Sequence, residues 1–210
     1  MFILRQGDSV LPKGIFPLPC DKLFLIMNTK VVLSILACLL FYTSNASAQT
    51  LYYTEERTFH GDGFTFINRP QGTRGSVTTL FNQDNRWRGV PITFRDGRPF
   101  TRESLRHVSL IHCDGGWNKR LFATIVNNAL TPAERERVRG SVLSATLYLC
   151  ADTGKVDDVK FTFGTRGGFG TVPVTTFRQI ELEIKEQLMF SLNWGSLLNF
   201  VRTIVMYEGR

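Results

Sequence analysis

Val142-Leu143-Ser144-Ala145-Thr146-Leu147-Tyr148-Leu149-Cys150 and Val156-Asp157-Asp158-Val159-Lys160-Phe161-Thr162-Phe163, joined by Ala151-Asp152-Thr153-Gly154-Lys155, decide the fold. In the first run Leu143, Ala145, Leu147 and Leu149 alternate with Ser144, Thr146, Tyr148 and Cys150. That period of two is a strand with one buried face. In the second run Val159, Phe161 and Phe163 share a face. The segment between them has turn chemistry, so the two runs form a hairpin.

Working toward the C-terminus, a Gly-rich loop from Gly164 to Gly170 leads to a predicted helix over 176–188. Its stripe is Phe177, Ile180, Ile184 and Leu188. Residues 199–207 read as a closing strand. The order strand, strand, helix, strand lets the helix cover one face of an antiparallel sheet. Toward the N-terminus, Leu121, Phe122, Ile125, Val126, Ala129 and Leu130 paint one face of a helix over 118–130. Thr131-Pro132-Ala133-Glu134 opens a shorter helix: Thr131 caps it, Pro132 suits the first helical position and Glu134 sits at the capping-box position. Gly140 ends it, and Glu134, Arg135, Glu136, Arg137 and Arg139 form a solvated face.

Further upstream, residues 51–60 and 64–69 flank Gly61-Asp62-Gly63 as a hairpin. Residues 76–81, 90–95 and 108–113 read as further strands, with Asn82-Gln83-Asp84-Asn85 and Asp96-Gly97-Arg98-Pro99 as turns. The expected class is α+β: an antiparallel β-rich N-terminal half, then two short helices and a β-β-α-β unit. One domain is expected over residues 49–210, with a subregion from about 140 to 210.

Residues Gly140 to Phe163, followed by the 176–188 helix and the 199–207 strand, resemble in pattern the C-terminal domain of TonB-like proteins. The departures are the missing retained anchor, the missing Pro-rich spacer, and Met189-Phe190-Ser191-Leu192-Asn193-Trp194-Gly195 where that family has an aromatic-Pro pair. The resemblance implies a fold and partner binding through an edge strand; energy transduction does not carry over. A second resemblance spans the mature length. It rests on Leu51-Tyr52-Tyr53-Thr54-Glu55, Val77-Thr78-Thr79-Leu80-Phe81-Asn82, Arg95-Asp96-Gly97, Thr146-Leu147-Tyr148-Leu149, Thr153-Gly154-Lys155-Val156, and Pro173 through Glu181. These residues resemble an uncharacterised family of small exported proteins from gut Gram-negative anaerobes. That implies a compartment and a fold type, and nothing catalytic.

Lys30 precedes an apolar run, Val31 to Tyr42, that ends in Ala46-Ser47-Ala48 before Gln49. A short basic region, a run too short to span a bilayer and an Ala-x-Ala site make a signal peptide cleaved between Ala48 and Gln49. Residues 1–26 fit no targeting logic, and Met27 is the expected start. Ile35-Leu36-Ala37-Cys38 offers an alternative, lipidation at Cys38, against which stand the bulky Leu36 and the Ala-x-Ala site that follows. Membrane contact is expected only through the signal peptide or that lipid. The protein is thus expected to be exported, to the periplasm, the cell envelope or the medium.

At 210 residues, with 43% apolar and 20% charged residues, the chain excludes disordered, collagen-like and low-complexity classes. Its formal charge is +7; removing the four bases and two acids of residues 1–48 leaves 21 bases against 16 acids, or +5. The remaining bases are scattered, with no run of five, so no nucleic-acid partner is expected. Arginines do outnumber acids between residues 69 and 106. Such a segment, with Arg86, Trp87 and Arg88 as candidate surface contacts, suits lipid headgroups, an anionic glycan or an acidic partner.

Two cysteines, Cys113 and Cys150, remain after the leader. In an exported chain the simplest reading is one disulfide across 36 intervening residues, worth about 3 to 4 kcal/mol. The alternatives are two separate thiols, or a nucleophilic Cys113 beside His112 and Asp114. Adjacent strand residues point to opposite faces, which disfavours activation by His112. His60, His107 and His112 show no metal-ligand spacing, and no Cys-x-x-Cys, Gly-x-Ser-x-Gly or phosphate-loop ending appears. No cofactor, metal or catalytic residue is therefore assigned. Asp157, Asp158, Glu181, Glu183 and Glu186 fit exposed hairpin and helix faces. Trp87, Trp117 and Trp194 suit sugar stacking or core packing. The expected function is a non-enzymatic binding module whose partner is an envelope protein or a glycan; the alternative is a glycan- or peptidoglycan-directed hydrolase.

Overall fold

The computed structural model describes residues 50–101, 103 and 109–210. Cys38, the Ala48/Gln49 junction and the rest of the leader lie outside the described residues, as do Arg102, Arg106, His107 and Val108. Gln49–Arg210 forms one unit.

The predicted central hairpin is present as β4 (Val142–Cys150) and β5 (Val156–Gly164), paired from Leu143↔Phe163 to Tyr148↔Asp158. At its turn Gly154 has φ +71°, and a Cβ there would collide with the Phe190 carbonyl oxygen, so glycine is required twice over. The register then steps to Leu149↔Val156, leaving Asp157 as a bulge residue beside Asp158. β6 (Phe200–Glu208) adds to the outer side of β4, from Val142↔Glu208 to Cys150↔Phe200. Beyond β5 come β3 (Val77–Asn82), β2 (Phe64–Gln71) and β1 (Arg57–Gly61). All pairings are antiparallel, in the order β1-β2-β3-β5-β4-β6. The N-terminal hairpin and the C-terminal unit therefore share one sheet, joined where β3 meets β5.

Among the described residues three α-helices accompany it: α1 (Trp117–Ala129), α2 (Pro132–Val138) and α3 (Val174–Gln187). The capping box of α2 forms as its sequence dictates. Glu134 donates its N–H to Thr131 Oγ1 at 3.2 Å, and the Glu134 carboxylate accepts the Thr131 N–H at 2.8 Å. This buries Glu134, correcting its expected place on a solvated face; a carboxylate that serves the helix start is turned inward.

Helices α1 and α3 cover one face of the sheet. Phe122, Ile125 and Val126 of α1, with Phe177, Ile180 and Ile184 of α3, meet Leu143, Ala145, Leu147, Leu149, Val159, Phe161 and Phe163 in one core. At its centre Phe163 and Phe177 stack with centroids 4.9 Å apart, and Tyr53 stands edge-on to both. Each such ring stabilises the fold by roughly 2 to 3 kcal/mol through its burial.

Two departures from the sequence reading come from side chains that the core claims. The first strand starts at Arg57, not residue 51, because Tyr53 is fully buried and donates its hydroxyl to Val172 O at 2.8 Å. The buried Asn68 amide holds that segment by donating to Tyr53 O and Glu55 O. The expected strands 90–95 and 108–113 reduce to single bridges, Phe94↔Leu198, Thr93↔Pro99 and Ile111↔Leu192. Pro91, Pro99 and Gly97 (φ +85°) interrupt any ladder there, and the segments clamp residues 191–199 instead.

Candidate functional site

The sheet has a second face. Register places Tyr148 and Asp158, Thr146 and Lys160, Phe81 and Lys160, and Tyr148 and Arg202 in cross-strand pairs, on the side opposite the helices. The loop from Gln83 to Arg88 crosses one end of this face.

The bulge holds that loop. Arg86 donates its backbone N–H to Asp158 Oδ2 at 3.2 Å, and its guanidinium reaches Asp157 Oδ2 at 2.5 Å. Trp87 Nε1 donates to the same Asp157 oxygen at 3.2 Å. The indole stacks on Phe200 with centroids 4.6 Å apart, and Phe200 packs against Tyr148. Asp158 is buried and Asp157 half-buried, which corrects their expected exposure: the bulge turns both toward the loop. Burial raises the Asp158 pKa, opposed by Lys185 and the Arg86 N–H. Of the three candidate contacts, Arg86 and Trp87 thus fasten the loop, and Arg88 is left for the surface.

The Arg88 guanidinium lies 4.5 Å from the Phe81 ring centroid, with Arg69 on the same ring at 5.9 Å. Lys160 emerges beside them and Arg202 beyond it. Burial, then the charge of Arg202, pushes the Lys160 ammonium below the ordinary lysine range. Arg69 pairs with Glu56 at 3.4 Å. Arg88, Lys160 and Arg202 have no carboxylate in ion-pair range among the described residues. A guanidinium stacked on a ring keeps its N–H edge free and gives up little freedom on meeting an oxyanion. This face therefore presents positive charge that no carboxylate of the described residues neutralises. Sequence reading missed Lys160, Arg202 and Phe81. They come from three strands, and only the β3-β5-β4-β6 order brings them together.

The other candidates separate. Cys113 and Cys150 stand as separate thiols in the structure, which does not show the expected disulfide. Cys150 belongs to the open-face set with Ser144, Thr146 and Tyr148, while Cys113 lies on the exposed segment leading into α1, which covers the opposite face. Hydrogen bonding from Thr153 holds the Cys150 thiol pKa down. Glu181, expected on an exposed helix face, is fully buried beneath α3. Arg178 donates to its Oε2 at 2.7 Å, and the Lys185 ammonium sits 3.1 Å from Oε1 as a charge contact without hydrogen-bond alignment. These acids serve the fold. The Gly-rich loop forms a short 3-10 turn at Gly168–Thr171 that buries Phe169. Trp117 and Trp194 are 61% and 56% exposed. Among the described residues no cluster of three potential metal ligands occurs, and no helix is long and apolar enough to cross a membrane.

Comparison with known proteins follows the same boundaries. No curated protein matches the chain. Among solved structures, a DUF5043 family protein from Bacteroides uniformis ATCC 8492 is similar at 28% identity and a TM-score of 0.65, over 77% of this chain and 89% of that one. The model of a domain of unknown function, DUF5043, matches residues 49–205, three-quarters of the sequence. The chain thus belongs to the DUF5043 family.

Proposed function

We propose that this protein is an exported, non-enzymatic binding module of the bacterial cell envelope that holds an anionic glycan against its open sheet face. One observation carries the reading: Arg88 and Lys160 share that face without carboxylate partners among the described residues, and Arg88 is stacked on Phe81. The Val31–Tyr42 run and Ala46-Ser47-Ala48 support export, and the family match begins at residue 49, next to the proposed cleavage point. The nearby carboxylates support binding over hydrolysis, because Asp157 and Asp158 are engaged in fastening the loop.

The test is retention on an array of sulfated and uronic-acid glycans beside their neutral counterparts. Acidic glycans alone should be retained, more weakly as salt screens the contact. Arg88→Ala and Lys160→Ala should each lower affinity about tenfold, the loss of one charge-assisted contact. Equal retention of neutral glycans would sink the reading. So would turnover of a retained glycan that disappears on replacing one aspartate or glutamate.

A further inference from the structure

β6 ends the sheet, and no strand pairs with its outer side among the described residues. Its register shows which backbone groups are left over. Gly209 donates its N–H to Ser141 O at 3.0 Å, which makes those two a hydrogen-bonded pair. Counting back by twos, Tyr207, Val205, Thr203 and Val201 direct their N–H and C=O groups at β4. Arg202, Ile204, Met206 and Glu208 therefore direct theirs outward. Their side chains stand on the open face, with Ile204 63% and Met206 53% exposed. Soluble proteins ordinarily blunt such an edge with proline, a bulge or inward charge; β6 has none of these. An open groove of about 700 Å³ runs beside its C-terminal half, between Met206, Tyr207 and Glu208 and the Lys119-Ala123-Asn127 flank of α1. It leaves room for a neighbouring strand.

We propose that β6 pairs antiparallel with β6 of a second copy of this chain, about a twofold axis at Val205. Outward-directed residues must face outward-directed residues, which restricts the registers to alternate positions. With the axis at Val205, Ile204 faces the second copy's Met206 and Arg202 faces the second copy's Glu208; the symmetry repeats both pairs. An axis at Ile204 sets Arg202 against Met206, and one at Met206 sets Ile204 against Glu208 and Arg202 against Arg210. An axis at Thr203 sets Arg202 against Ile204 and Phe200 against Met206. Only the Val205 register joins both apolar side chains to each other and both charges to opposite charges. Neither Arg202 nor Glu208 has an ion-pair partner within the described chain. The two sheets become one, and this assembly does not depend on the anion-binding reading.

The experiment is sedimentation velocity at micromolar concentration, on protein purified after expression of the full chain. A dimer is expected. Arg202→Glu and Glu208→Arg should each weaken it about tenfold, since each sets like charges opposite one another at both ends of the interface. The two substitutions combined restore the pairing with reversed signs and should recover most of the loss. Met206→Pro removes an outward N–H and leaves the β4 ladder untouched, so it should give a folded monomer by circular dichroism. A monomeric wild-type chain overturns the proposal, including one whose edge instead takes up a peptide. A dimer indifferent to both single charge reversals overturns it as well.

Discussion

The two faces of the sheet are made by alternate residues of the same strands, and they differ in how each side chain is satisfied. On the helix side, Leu143, Leu147, Phe161 and Phe163 are buried by partners of the same kind, and position within the core follows from shape. On the open side, Phe81, Tyr148 and Phe200 are equally buried but by Arg88 and a clasped loop, whose own polar groups need carboxylates to settle them. One face is closed by volume. The other is closed by charge and hydrogen bonds, and it leaves cations over. The sharpest way to break this contrast is Phe177→Ala, which empties the space between Phe163, Phe161 and Tyr53. A loss of about 4 kcal/mol in denaturant unfolding is expected. A loss below about 1 kcal/mol would show that the helix face is not the fold's anchor.

The same truncation on the open side should cost less. Trp87→Ala uncovers Phe200 and Tyr148 and frees Asp157, yet the indole is only half-buried and water can replace its hydrogen bond. About 2 kcal/mol is expected, with an unchanged denaturant slope. A cost equal to that of Phe177→Ala would erase the distinction between the faces.

That distinction also governs what the sequence could reveal. Alternation in Leu143 to Leu149 and the Phe177-Ile180-Ile184-Leu188 stripe announces the helix face, because burial by apolar partners imposes a period that one strand or helix displays alone. The capping box at Thr131 and Glu134 is local too, and it forms as read. The open face has no such signature. Lys160 between Val159 and Phe161 looks like any solvated strand residue until β3 and β4 flank it. Arg86 and Trp87 stand out by composition, but their engagement with Asp157, some 70 positions away, depends on the bulge. Cys113 and Cys150 show the same limit. Counting suggests a pair, whereas the structure holds Cys150 at the end of β4 and Cys113 in the exposed segment before α1 as separate thiols, a placement that no count of cysteines reveals.

The smallest effect is the most informative about the leftover charge. Burial and Arg202 lower the Lys160 pKa, so between that lowered value and the ordinary lysine value the unfolded chain binds more protons than the folded one. Stability therefore rises with pH across that window, and below it the protein carries the full cost of a protonated, half-buried ammonium. Lys160→Met keeps the stem and removes the charge. At about pH 7 it should raise stability slightly, because solvent screens a half-exposed ammonium, and the gap to wild type should shrink as pH climbs toward about 10. Anion retention should move the other way: it weakens in the variant at neutral pH, and in the wild type it declines with rising pH earlier than an ordinary lysine would dictate. Thermal unfolding of both proteins across that range reads the first effect and glycan retention the second. A variant less stable than wild type at neutral pH would mean that the ammonium is already satisfied by groups of this chain, and that the open face has no charge to spare for a ligand.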